Sequence, residues 1–158
     1  MTKSNEHDGR DNNAGLVMFE LLNEVGIIAQ LSRTLMESRL DDGLTIHHFT
    51  ALNHLVRLGD GKTPMDLARA FQVPKTSMSH TLAGLEKRGL IRMEPNPNDG
   101  RGKLVRLTDS GQAVRNRAIQ DIAPDMANII PQFGLEDAQA ALPFLRKLRA
   151  VLDKARDK

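Results

Sequence analysis

Between Thr63 and Leu107 the chain places two short helical patterns, almost no connector, and two short strand patterns in direct succession. Thr63-Pro64 supplies a capping hydroxyl followed by proline at a first helical position, and Leu67, Ala68 and Phe71 give this short helix its apolar side. The pattern restarts after Val73-Pro74: Met78, Leu82 and Leu85 fall at i, i+4 and i+7, and Lys87-Arg88-Gly89 closes the second helix with cations and then glycine. Leu90 to Glu94 and Lys103 to Leu107 read as two strands joined by the turn-rich tip Pro95 to Gly102. Few folds accommodate that order.

The segments on either side are helical. From Leu16 to about Arg39 the apolar positions Phe19, Leu21, Val25, Ile28, Leu31 and Leu35 cover so much of the girth that more than one surface must bury them. In so small a chain, the second surface is expected to belong to another subunit. Asp41-Asp42-Gly43 breaks this helix, and Thr45 caps the next, whose apolar side is Ile46, Phe49, Leu52, Leu55 and Val56, ending at Leu58-Gly59-Asp60-Gly61. After the ribbon, Thr108-Asp109 opens a long helix to about Asn128, expected to kink near Pro124. Beyond Pro131 to Gly134, Ala138, Ala141, Leu145, Leu148, Leu152 and Ala155 recur in steps of three and four, a coiled-coil-like seam interrupted by Pro143. Residues 1–13 are polar and expected to fray.

Helix, short turn, helix and basic-tipped ribbon together make a winged helix-turn-helix. The fold class is therefore mainly α (α+β), with the winged unit at 45–107 between helical segments at 14–44 and 108–158, which the resemblance given below makes N- and C-terminal dimerisation helices. Such a unit puts its second helix into the major groove of duplex DNA. With Met78, Leu82 and Leu85 turned inward, the outward residues of helix 74–88 include Lys75, Thr76, Ser77, Ser79, His80, Ala83 and Lys87. Four hydroxyl residues (76, 77, 79 and 81) lower helix propensity but allow close approach to a groove wall. Gly84 fits either that approach or tight packing. Arg101, projecting from the tip with Lys103 beside it, is placed to reach a minor groove, and Asp99 is expected to orient Arg101. Charge agrees: residues 62–106 hold nine Lys/Arg and four acids, leaving the rest of the chain net acidic.

Leu85-Glu86-Lys87-Arg88-Gly89-Leu90-Ile91, then Asn96-Pro97-Asn98-Asp99-Gly100-Arg101, then Leu107-Thr108-Asp109-Ser110-Gly111 resemble, in that order, the MarR family of bacterial regulators. The resemblance spans nearly all of residues 14–155. It implies a homodimer built by the first and last two helices, and two winged domains on a pseudo-palindromic operator. It further implies a repressor, released when a small-molecule effector binds between dimer body and winged domain. His80 stands where the family often has a basic residue, which weakens a direct guanine contact. Oxidant-sensing members use cysteine, and this chain has none. Pro124, Pro131 and Pro143 bear on the regularity of the C-terminal helices.

Composition narrows the remaining classes. The absence of cysteine removes disulfides, thiol nucleophiles and cysteine zinc sites, and with five Phe but no Trp or Tyr, base-stacking platforms lose their means. No apolar run approaches the ~18 residues of a membrane span and no signal-peptide pattern opens the chain, so a soluble cytoplasmic protein without a membrane partner is expected. No phosphate loop, carboxylate pair or triad spacing points to an enzyme, and no cofactor is expected. His47, His48 and His54 cluster on one helix; a metal there would need Glu37, Asp41 or Asp42 as well, and they are read as surface or cleft histidines with no metal. The alternatives kept are a metal-responsive regulator of the same fold and a winged-helix protein-interaction module.

Overall fold

The computed structural model describes the backbone of residues 5–41 and 43–156, and the side chains of residues 13–41, 43–100 and 102–155. The elements run α1 (Asn5–Glu37), α2 (Ile46–Leu58), α3 (Pro64–Phe71), α4 (Lys75–Lys87), β1 (Ile91–Asn96), β2 (Asp99–Leu107), α5 (Asp109–Ile129) and α6 (Leu135–Arg156), with a short 3-10 turn at Ile130–Gln132. The chain divides at Ala118/Ile119 into two compact units.

In the first unit, each helix start has a chemical cause. Thr45 and Thr63 both form capping boxes: the Thr45 hydroxyl accepts from the His48 N–H while the His48 ring accepts from the Thr45 N–H, and Thr63 pairs with Asp66 in the same way. The core is one cluster in which Ala51, Leu52 and Leu55 of α2, Leu67 and Ala68 of α3, and Met78, Leu82 and Leu85 of α4 meet Leu90, Ile91 and Val105 of the ribbon. β1 and β2 are antiparallel, with Ile91 opposite Leu107 and a register shift between Pro95 and Asn96. A one-residue bridge from Lys62 adds a third edge: Gly61 N donates to the Val105 carbonyl at 2.7 Å and Val105 N to that of Lys62 at 2.9 Å.

The close of the ribbon explains the Leu-Thr-Asp-Ser-Gly run. The Thr108 hydroxyl donates to the Gly89 carbonyl at 2.8 Å and accepts from Gly111 N at 3.0 Å, while Thr108 N donates to Leu90 O at 3.2 Å. Gly111 is buried, and a Cβ on it would overlap the carbonyl oxygen of Leu90. Glycine is required there for space.

Several expectations need correction. α1 begins at Asn5, not near Leu16, because once a helix is nucleated a polar, proline-free run propagates it; residues 1–4 lie outside the described residues. The stretch Asn13–Glu37 is long and apolar enough to cross a membrane by length and composition, contrary to the expectation that no run approaches a span. Glu20 and Glu24 break the run when it is read residue by residue, yet its average still meets the requirement. The strands reach Asn96 and Asp99, so the tip is tighter than Pro95–Gly102; the register shift absorbs Pro95, which has no N–H to give a ladder. In the second unit α6 continues through Pro143, which does not interrupt it, and α5 contains Pro124. Each proline leaves a carbonyl one turn earlier, at Gln120 and Gln139, without its usual N–H.

Candidate nucleic-acid interface

α4 turns Met78, Leu82 and Leu85 into the core and leaves Lys75, Thr76, Ser77, Ser79, His80, Ala83 and Lys87 exposed. Every outward residue expected from the sequence on this helix is therefore at its surface. Those residues fall into two stripes. Lys75, Ser79 and Ala83 are exposed outside the cavity lining, whereas Thr76, Ser77, His80 and Thr81 line a cavity. The Thr81 hydroxyl donates back to the Ser77 carbonyl at 3.1 Å, so this hydroxyl is committed to the helix itself.

Three fastenings hold α4, and the first two were not visible in the sequence. The Glu86 carboxylate accepts from Met93 N at 3.1 Å, tying helix to ribbon. The Arg88 guanidinium donates to the Gly43 carbonyl at 2.7 Å, tying the helix end to the loop after α1. Gly84 settles its two readings in favour of packing, since a Cβ there would stand 2.5 Å from Nε2 of His48 on α2.

The ribbon carries a charge problem and its solution. Arg92 and Arg106 stand directly opposite each other, an unfavourable like-charge pair. Glu94 lies between them, accepting from Arg92 Nε at 2.7 Å and from Arg106 Nε at 2.9 Å. These bonds hold the Glu94 carboxyl below the usual carboxylate range. Arg106 also donates to Asp60 at 3.2 Å, and Asp60 accepts from Leu107 N at 3.2 Å, so the wing is bolted to the loop after α2. At the tip the Asn96 side chain accepts from Asn98 N at 3.0 Å. Asp99 folds back: a Cβ on Gly102 would lie 2.9 Å from its carboxylate, which keeps the tip narrow. Lys103 is exposed on β2; the Arg101 side chain, and with it the Asp99–Arg101 pairing, lies outside the described residues.

The cavity has a volume of about 690 Å³ and lies between α4, α2 and Arg33 of α1. His47, His80 and Arg33 give it nitrogen donors, while Ile46, Phe71 and Met78 give it apolar wall. The three α2 histidines do not act together. His47 lines this cavity; His48 sits under Gly84 with its ring in the Thr45 cap; His54 packs on Phe71 with ring centroids 5.1 Å apart. Burial, then Arg88, His47 and His80, push His48 below its ordinary pKa, and burial, Lys62 and Arg57 do the same to His54. Among the described residues no three His, Asp or Glu groups come together as metal ligands. Glu37 instead accepts from Ile46 N at 3.4 Å, Asp41 pairs with Arg117 at 3.8 Å, and Asp42 lies outside the described residues.

Two helices joined by a tight turn, a wing bolted beside the second, and helices before and after them define a winged helix-turn-helix protein. Residues 42–102 match the sequence profile of the MarR family. The wild-type apo MarR from E. coli is similar at 25% identity, covering 81% of this chain and 96% of that one with a TM-score of 0.70. A mutant MarR from E. coli complexed with operator DNA is 27% identical, covering 82% and 93%, with a TM-score of 0.66. The regulator BldR from Sulfolobus solfataricus, at 21% identity, covering 84% and 94% with a TM-score of 0.72, shares the fold. The chain thus has the winged-helix fold that these MarR regulators share, and its segment 42–102 matches the MarR family profile.

Proposed function

We propose that the protein is a sequence-specific regulator that binds duplex DNA as a homodimer, acts as a repressor, and is released by a small molecule. The observation that carries this is the exposed Lys75, Thr76, Ser77, Ser79, His80 and Lys87 surface of α4 beside a wing that ends in Arg101 and Lys103. The operator-bound MarR from E. coli, 27% identical, supports the same use of the fold. Two copies of α4 read successive major grooves of a pseudo-palindromic operator. Arg101 enters the flanking minor groove with Asp99 as its orienting partner.

The second subunit answers the exposed apolar residues. In one chain Phe19, Ile28 and Leu31 of α1 are 69%, 60% and 65% exposed, and Leu145 and Leu152 of the α6 seam are open as well. That is more apolar surface than a soluble monomer keeps. A dimer body of 14–44 and 108–158 therefore covers α1, in place of a membrane, and the protein works in the cytoplasm without a cofactor. The effector occupies the cavity behind α4, where its occupant touches Thr76, Ser77 and His80, three residues also assigned to DNA.

The test is a gel shift on the duplex immediately upstream of the protein's own coding region, with heparin as competitor. A retarded band that weakens steeply with salt is expected. Retention on neither that duplex nor heparin refutes the reading and leaves the protein-interaction module in its place.

A further inference from the structure

His48 occupies an unusual position: it is the partner residue of a capping box, a place more often held by Glu or Gln. Thr45 N donates to its Nδ1 at 3.1 Å, and the Thr45 hydroxyl lies 3.2 Å from the same nitrogen. An imidazole nitrogen that accepts a backbone N–H carries no proton, so the ring proton belongs on Nε2. That edge faces the reading helix, where a Cβ on Gly84 would stand only 2.5 Å from Nε2. One neutral ring thus closes the start of α2 and fills the gap under α4.

The groups around it favour the neutral form. From α4 come His80 and the Arg88 guanidinium just past its end, and from α2 comes His47; each opposes a second proton. Among the described residues at the α1–α2 junction, Glu37 is committed to Ile46 N and Asp41 to Arg117. A proton on Nδ1 would set donor against donor at the Thr45 N–H and put an imidazolium beside Arg88. Arg88 is itself the group that fastens α4 to Gly43.

We propose that His48 is a positioning residue for the DNA-reading helix, whose neutral ring holds α4 in place and whose protonation releases the duplex as the medium acidifies. The proposal rests on the DNA-binding reading above.

The test compares the wild type with His48→Gln. Glutamine keeps the capping-box acceptor but takes up no proton. The probe is the duplex that the wild type enriches from a random-sequence pool at neutral pH, with Kd measured from about pH 7.5 to 5.5 at constant salt and the fold checked by circular dichroism. Wild-type affinity falls on acidification, approaching about tenfold per pH unit for each linked proton. His48→Gln, which keeps the cap but lacks the ring under Gly84, binds more weakly at the neutral end and then stays level on acidification. Equal falls in both proteins, or no fall in the wild type, overturn the proposal. If the wild type enriches no duplex, the DNA reading fails separately. NMR then decides, as it also does if the variant does not fold: in the wild type the α4 amides follow the His48 titration, and indifferent α4 amides overturn the proposal.

Discussion

Gly111→Ala sets two ordinary rules against each other. In a helix interior, alanine is worth about 1 kcal/mol more than glycine, and Gly111 lies three positions into α5 with no unusual backbone angle. Propensity alone predicts a stabler protein. The packing predicts the reverse. The new Cβ would overlap the Leu90 carbonyl oxygen and stand 3.0 Å from both the Leu90 carbonyl carbon and Leu107 Cδ1. The obstruction is backbone, which cannot swing aside, so α5 must back away from the ribbon. That movement strains or breaks the Thr108 N to Leu90 O bond of 3.2 Å, a net loss of about 1 kcal/mol. Forcing a methyl into a packed site adds roughly 1–3 kcal/mol. Subtracting the propensity gain leaves a loss of about 1–3 kcal/mol, or roughly 3–10 °C in melting temperature for a chain of this size. Urea unfolding monitored by circular dichroism measures it. Gly15→Ala on α1, where nothing lies within 4 Å, serves as the control and gains up to about 1 kcal/mol. A Gly111→Ala protein as stable as the wild type would falsify the close helix-to-ribbon contact.

Other outcomes follow from the interface. Arg101→Ala weakens duplex binding and lowers the slope of log affinity against log salt by about one per subunit; an unchanged slope removes the wing from the mechanism. Ser77→Ala and His80→Ala change the preferred sequence more than the overall affinity, and an identical motif after selection from random duplexes refutes that. Glu94→Gln leaves Arg92 and Arg106 opposed without their shared anion, so hydrogen exchange of the wing amides speeds up; unaltered exchange contradicts the clamp. Because the folded Glu94 pKa lies below its ordinary value, the clamp stabilises fully above that ordinary value and is lost as pH falls through the folded one. Wing protection in the wild type therefore weakens in acid, and in Glu94→Gln this acid dependence is reduced.

Much of the first unit was legible because its signals are local. Thr45 and Thr63 announced their helices, and Met78, Leu82 and Leu85 announced which side of α4 is buried. What the sequence concealed depends on partners far apart in the chain. Nothing in a linear reading joins Arg88 to Gly43 or Glu86 to the Met93 N–H. The Glu94 clamp appears only when the register sets Arg92 opposite Arg106. His48 was hidden differently, because histidine is not the residue expected to complete a cap. The prolines were over-read: Pro95 is absorbed by a register shift, and Pro143 sits within a continuous α6.

The most direct measurement of the central claim is the stoichiometry and symmetry of the DNA complex. Duplexes selected from a random pool would be footprinted and the bound species weighed by native mass spectrometry. The account predicts two inverted half-sites whose centres lie about one helical turn apart, held by two chains. A single chain on an asymmetric site, or a pool that never converges, contradicts it.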